Sequence, residues 1–133
     1  AGNVLQTWSA PISSQTGAAE VETRLAVDPQ SNILALGGTL APAVFQFSPT
    51  GKFITRLMTS GQGPGQLDRP RAISLDSQGR IYISDSNGIQ VYAPNSRYLA
   101  TIPTIHATTD IAAGPGDALW VLNANEITQF ILR

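Results

Sequence analysis

The sequence predicts an all-β fold assembled from repeated four-stranded units, and three observations carry that prediction. Apolar runs are short and rich in Ile, Val, Leu, Phe and Tyr, and a turn signal of Gly, Pro, Asp, Asn or Ser interrupts them every several residues. One pattern of runs and turns recurs along the chain. The second run of each recurrence, ILAL from Ile33, IYIS from Ile81 and LWVL from Leu119, is apolar on both faces, as expected of a strand covered on both sides. No stretch combines a helical period with a cap. EVETRLAV comes nearest, and it falls where the first strand of the first unit must lie.

Each unit opens with two apolar runs around a turn: RLAVDPQSNILAL from Arg24, RAISLDSQGRIYIS from Arg71 and DIAAGPGDALWVL from Asp110. A third run follows a polar turn, as VFQF from Val44, IQVY from Ile89 and ITQF from Ile127. The repeat is uneven: Asp28 and Asp76 are 48 positions apart, whereas Ile73 and Ile111 are 38 apart, the difference lying mainly in the glycine-rich connection before the second unit. A fourth run follows in two units, FITRLM from Phe53 and YLATI from Tyr98. The third unit has none before Arg133, but VLQTW, Val4 to Trp8, follows Ala-Gly-Asn with the same opening as TGKFITRL. The expected organisation is one domain over 1–133, with units at about 23–58, 71–102 and 110–131 and with 4–8 as a swapped or closing outer strand.

Composition narrows the function. Eight Lys and Arg against nine Asp and Glu give a net charge of −1, too small a field for general attraction to nucleic acid or an anionic membrane. No apolar run nears the ~18 residues of a membrane-spanning helix. The absence of cysteine excludes disulfides, a thiol nucleophile and a thiolate metal site. The Ala-Gly-Asn start suits a mature exported protein, and equally an excised segment; the expectation leans to an exported or extracytoplasmic setting.

From Gly61 the chain reads GQGPGQLDRPRAISLDSQGRIYISDSNGIQVYAP, and here it resembles an NHL repeat. The matching residues are Gly65, Pro70, Leu75-Asp76, Gly79, Ile81-Tyr82-Ile83, Asp85 and Ile89 with Val91-Tyr92. The first unit keeps Asp28, Ile33 and Phe47 but has Gly37 in place of Asp85; the third has Gly114 and Asn123 in place of Asp76 and Asp85. The resemblance implies four-stranded antiparallel blades in a β-propeller. Local chemistry agrees with it. Gly79 suits a turn of positive φ, Pro70 suits a strand start, and Asp76 and Asp85 sit where a short carboxylate accepts nearby backbone N–H bonds. Propellers typically close with about 4–8 blades, so three units are expected to assemble as a twofold homodimer of six. VLQTW would then complete a blade of the partner. The competing expectation is a piece of a larger propeller.

In such a fold the loops before each first strand and between second and third strands share the channel face, where function is expected. That places Arg24, Arg71 and Asp110 at the starts of first strands, Asp85 and Asn123 at the ends of second strands, and His106 in a rim loop. These six are the expected ligand-binding rim. No catalytic residue, cofactor or resident metal is assigned. Asp85, Asp110 and Asn123 are oxygen donors that suit calcium, but as turn caps they need no metal. A lone His beside Thr108, Thr109 and Asp110 makes no triad. GQGPGQ lacks the Lys and helix of a phosphate-binding loop. The face loops interleave no aromatic residue with Arg24, Arg69 and Arg71, which argues against RNA. The expected function is a non-enzymatic interaction module for a protein, peptide or small glycan. The alternative is a metal-assisted hydrolase or lactonase of the propeller type.

Overall fold

The computed structural model describes residues 2–20, 22–38 and 40–132. It is all-β apart from one turn of helix. Sheet one runs β1 (Arg24–Val27), β2 (Ile33–Gly37), β3 (Ala43–Phe47) and β4 (Phe53–Leu57), each strand beside the next. A short parallel pair, β5 (Thr59–Ser60) with β6 (Gln66–Leu67), pins the two ends of the glycine-rich connection. Sheet two is β7 (Ala72–Leu75), β8 (Ile81–Asp85), β9 (Gly88–Tyr92) and β10 (Tyr98–Ile102); sheet three is β11 (Asp110–Ala113), β12 (Ala118–Leu122) and β13 (Ile127–Ile131). All neighbours within these three sheets are antiparallel. They stack in chain order as blades 1, 2 and 3 of a propeller-like arrangement.

Strand alternation makes the stack. In β8, Ile81 and Ile83 face blade 1, while Tyr82 faces blade 3. In β9 the phase is opposite: Tyr92 packs with Leu34, Leu36 and Val44 of blade 1, whereas Ile89 and Val91 meet Ile111, Leu119 and Val121 of blade 3. The central strands are apolar on both faces because each face meets a sheet. Polar contacts reinforce the blade 2–3 junction. Ala113 N donates to Ser74 Oγ at 2.9 Å, and Arg80 Nη2 reaches Asp117 Oδ1.

The outer blades differ. Blade 1 turns Ala35, Phe45 and Phe47 away from blade 2, and the N-terminal segment packs over them through the side chains of Trp8 and Ile12. The Trp8 and Phe47 rings are 6.0 Å apart. Val4–Trp8, expected as a strand, joins no sheet of the single chain; Val4 and Leu5 are exposed. Ser13–Thr16 forms helix α1, which the sequence reading did not anticipate. It ends on Gly17 in the left-handed region, φ 73°. On blade 3, Trp120, Leu122, Ile127 and Ile131 point away from blade 2 and are exposed. No helix among the described residues is long and apolar enough to cross a membrane.

Candidate functional site

The repeat builds its turns in two ways. On the side opposite the rim, the Asp of the β1–β2 turn and that of the β7–β8 turn each accept two backbone N–H bonds: Asp28 Oδ1 from Gln30 and Asn32, and Asp76 Oδ1 from Gln78 and Arg80. Gly79 closes the second turn at φ 83°, the positive value its position requires. The remaining oxygen of Asp76 takes hydrogen bonds from Arg80 Nε and the Tyr82 hydroxyl. Burial pushes the Asp76 carboxyl upward, but the hydrogen bonds and charge of Arg80 outweigh it and hold it below the ordinary value. Burial, with Asp76 alongside, pushes the Tyr82 phenol well up. Neither group is on the rim, so this network is structural.

The rim is built from the other set of loops. Residues 68–71 arrive before β7, 103–109 before β11, and Ser86-Asn87 forms the two-residue link between β8 and β9. Asp85, at the end of β8, is buried. Its Oδ1 accepts from Asn87 N at 2.8 Å and Gln90 Nε2 at 3.3 Å, and its Oδ2 from Asp68 N at 3.1 Å. Gln90 in turn accepts from Thr101 Oγ1 at 2.8 Å. Asp85 thus ties two rim loops together, as its strand-end position predicts, and both its oxygens are occupied. Asn123, at the matching position in blade 3, caps only its own turn, its Oδ1 accepting from Asn125 N and Glu126 N.

Two adjoining grooves open between the blades on this side. The first, about 320 Å³, lies between blades 1 and 2 and includes Glu22, Arg24, Gly38 and Pro42. The second, about 310 Å³, lies between blades 2 and 3 and includes Asp85, Ser86, His106 and Thr108. Arg69 and Arg71 line both. Of the six expected rim residues, the fold brings Arg71, Asp85 and His106 into one groove and Arg24 into the next. Asp110 and Asn123 line neither; Asp110 Oδ1 accepts from the N–H of Ile111 at 2.9 Å.

The sequence reading named Arg69 only among the cations of the face loops, and three features escaped it. Arg69 separates the grooves from a backbone in the left-handed region, φ 51°. Thr108 is buried in the second groove with its hydroxyl unpartnered. Glu20 reaches across to accept from Gly38 N at 2.9 Å, placing a carboxylate beside Gly37, where blade 2 has Asp85. Exchange of a local carboxylate for one some 18 positions away leaves no mark in spacing.

These side chains do not fit a resident divalent cation. Among the described residues no three His, Cys, Asp or Glu side chains converge. Asp85 is saturated by N–H donors, and Arg71 shares its groove. The arrangement offers instead hydrogen-bond donors and a guanidinium to an oxygen-rich molecule.

No known family profile matches the chain, and no curated protein matches it in sequence. The structure is similar to that of a gluconolactonase from Xanthomonas campestris described as important in glucose secondary metabolic pathways, with a TM-score of 0.63 at 17% identity. The match covers 84% of this chain and 38% of that one. A likeness of that kind establishes the fold alone, a propeller-like all-β arrangement. This chain spans well under half of the neighbour's length.

Proposed function

We propose that the chain forms part of a β-propeller of NHL-type blades whose channel face binds a small oxygen-rich molecule, a sugar acid, its lactone or a short glycan. The observation that carries this is the convergence of Arg71, Asp85, His106 and Thr108 from three separate loops into one groove between blades 2 and 3. The groove is concave, stands on rigid sheets and presents a few polar groups. Saturation-transfer NMR with sodium gluconate, its δ-lactone and cellobiose tests it. Binding of any of the three that is lost in an Arg71→Ala/His106→Ala double variant supports the reading. No transfer to any of them overturns it.

A second reading, metal-assisted lactone hydrolysis, is favoured by the solved gluconolactonase neighbour. The donors in these three blades do not hold a metal, so this reading draws its metal ligands from further blades. Its test is base consumption at constant pH when δ-gluconolactone is added, with and without calcium or zinc. Consumption above the spontaneous rate makes the protein an enzyme; consumption at the spontaneous rate leaves binding as the function.

A further inference from the structure

We propose that the groove between blades 2 and 3 is a carboxylate site, with the Arg71 guanidinium as its cation and the Thr108 hydroxyl as a second donor. This rests on the channel face being the ligand-binding side and specifies the ligand's charge.

Arg71 lies beside Asp85, and an arginine so placed ordinarily pairs with its acidic neighbour. Here it does not: among the described residues its side chain enters no ion pair or hydrogen bond, because both oxygens of Asp85 are taken by Asn87 N, Gln90 Nε2 and Asp68 N. The other nearby cation, Arg69, has Asp68 at 3.6 Å. Among the described residues Arg71 is therefore the cation left without a hydrogen-bonded partner, in a groove that it shares with Arg69, Asp85 and His106. A planar guanidinium matches a carboxylate with two parallel N–H bonds.

Thr108 supplies the second, independent observation. It is 3% exposed, it lines the same groove, and its Oγ1 has no partner. Leaving a buried hydroxyl unpaired costs stability, and such a group in a folded protein calls for a partner, a water or a ligand. A turn of this buried hydroxyl toward a ligand oxygen held by Arg71 would satisfy it. Charge selects the ligand. The guanidiniums of Arg69 and Arg71 against the carboxylate of Asp85 leave the lining one positive charge in surplus, which balances a monoanion, whereas a phosphate dianion asks for more than that surplus and a metal cation is repelled by Arg71. Every contributing loop belongs to this chain, so the site does not depend on how the ring closes.

Calorimetric titration of the chain with sodium gluconate, with neutral sorbitol as a near-isostere and with inorganic phosphate, tests the inference. The expected result is gluconate binding at least about ten-fold tighter than sorbitol, the weight of one charge-assisted bidentate contact. Arg71→Gln should remove that preference, Arg71→Lys should keep part of it, and Thr108→Val should weaken gluconate several-fold without lowering the unfolding midpoint. Equal binding of gluconate and sorbitol, or full gluconate affinity in Arg71→Gln, overturns the carboxylate assignment while leaving a small-ligand channel face intact. So does phosphate binding tighter than gluconate. A lowered midpoint in Thr108→Val with unchanged gluconate affinity removes Thr108 from the site. Absence of binding by gluconate and sorbitol, together with no transfer from lactone or cellobiose, overturns both this inference and the reading beneath it.

Discussion

Gly88 shows how little tolerance the rim has. It pairs with Asp85 across the two-residue link, at φ 128°, and a Cβ built there would stand 2.4 Å from the carbonyl oxygen of Ile102. Both the conformation and the space demand glycine. Gly88→Ala should cost about 1–3 kcal/mol, the scale of a strained backbone position; a denaturant midpoint equal to the parent's would contradict this. Asp76 makes a different demand. Its carboxyl is held below the ordinary value of 3.8, so in the folded state it gives up its proton more readily than in the unfolded one. Its contribution is then fully present above about pH 4 and is lost as pH falls through the folded value. Asp76→Asn should lower stability at neutral pH by about 1–3 kcal/mol, as for a buried hydrogen-bonded charge, and should flatten the acid limb of a stability–pH curve. A parental acid limb in the variant would assign that limb to other carboxylates.

At the scale of elements, the sequence was most legible where packing is most demanding. Ile33 to Leu36 and Ile81 to Ile83 are apolar on consecutive positions because a sheet lies on each side, and that pattern alone placed the central strands. Asp85 was legible as a turn cap, since a strand-end carboxylate has backbone N–H groups within reach. The N-terminal segment was not. VLQTW has a strand's composition, but in the single chain its Trp8 packs against blade 1 near Phe47 and Gly51, and Gln6 Nε2 donates to Pro49 O at 2.7 Å. Nor were Arg69, Thr108 and Glu20, whose roles come from loops meeting across blades rather than from neighbours in sequence. Ile12, 3% exposed over Ala35 and Phe45, anchors this segment. Ile12→Ala should cost about 2 kcal/mol or more by the usual penalty for truncating a buried side chain. A loss under about 0.5 kcal/mol, the range of ordinary surface substitutions, would mean that the segment detaches freely.

The whole molecule leaves two faces unlike the rest. Blade 3 presents Trp120, Leu122, Ile127 and Ile131 and a β13 edge that no fourth strand covers among the described residues, while blade 1 presents Leu25 and Val27 beside a largely apolar groove of about 350 Å³ lined by Trp8, Ile33 and Phe47. Exposed apolar faces and open edges favour association. A twofold homodimer, each copy's Val4–Trp8 completing blade 3 of the other, is the proposed closure. Light scattering on a sizing column should give twice the chain mass, and Trp120→Glu should return the single mass. A parent that stays single at all concentrations would turn the proposal to a segment of a longer propeller.

The stacking order has one further consequence. In a chain that stays single, blade 2 alone has a sheet on each side, while blades 1 and 3 each have one. In a row of units held by nearest-neighbour contacts, opening begins at the ends and the middle lets go last. Backbone amides of β8 and β9 should therefore exchange with deuterium at the rate of global unfolding, and those of β11 and β13 much sooner. The rim groove lies on that gradient, one wall on the slowest-exchanging strands and the other on the fastest. A ligand seated there would be read out as slowed exchange in blade 3, far beyond the residues it touches.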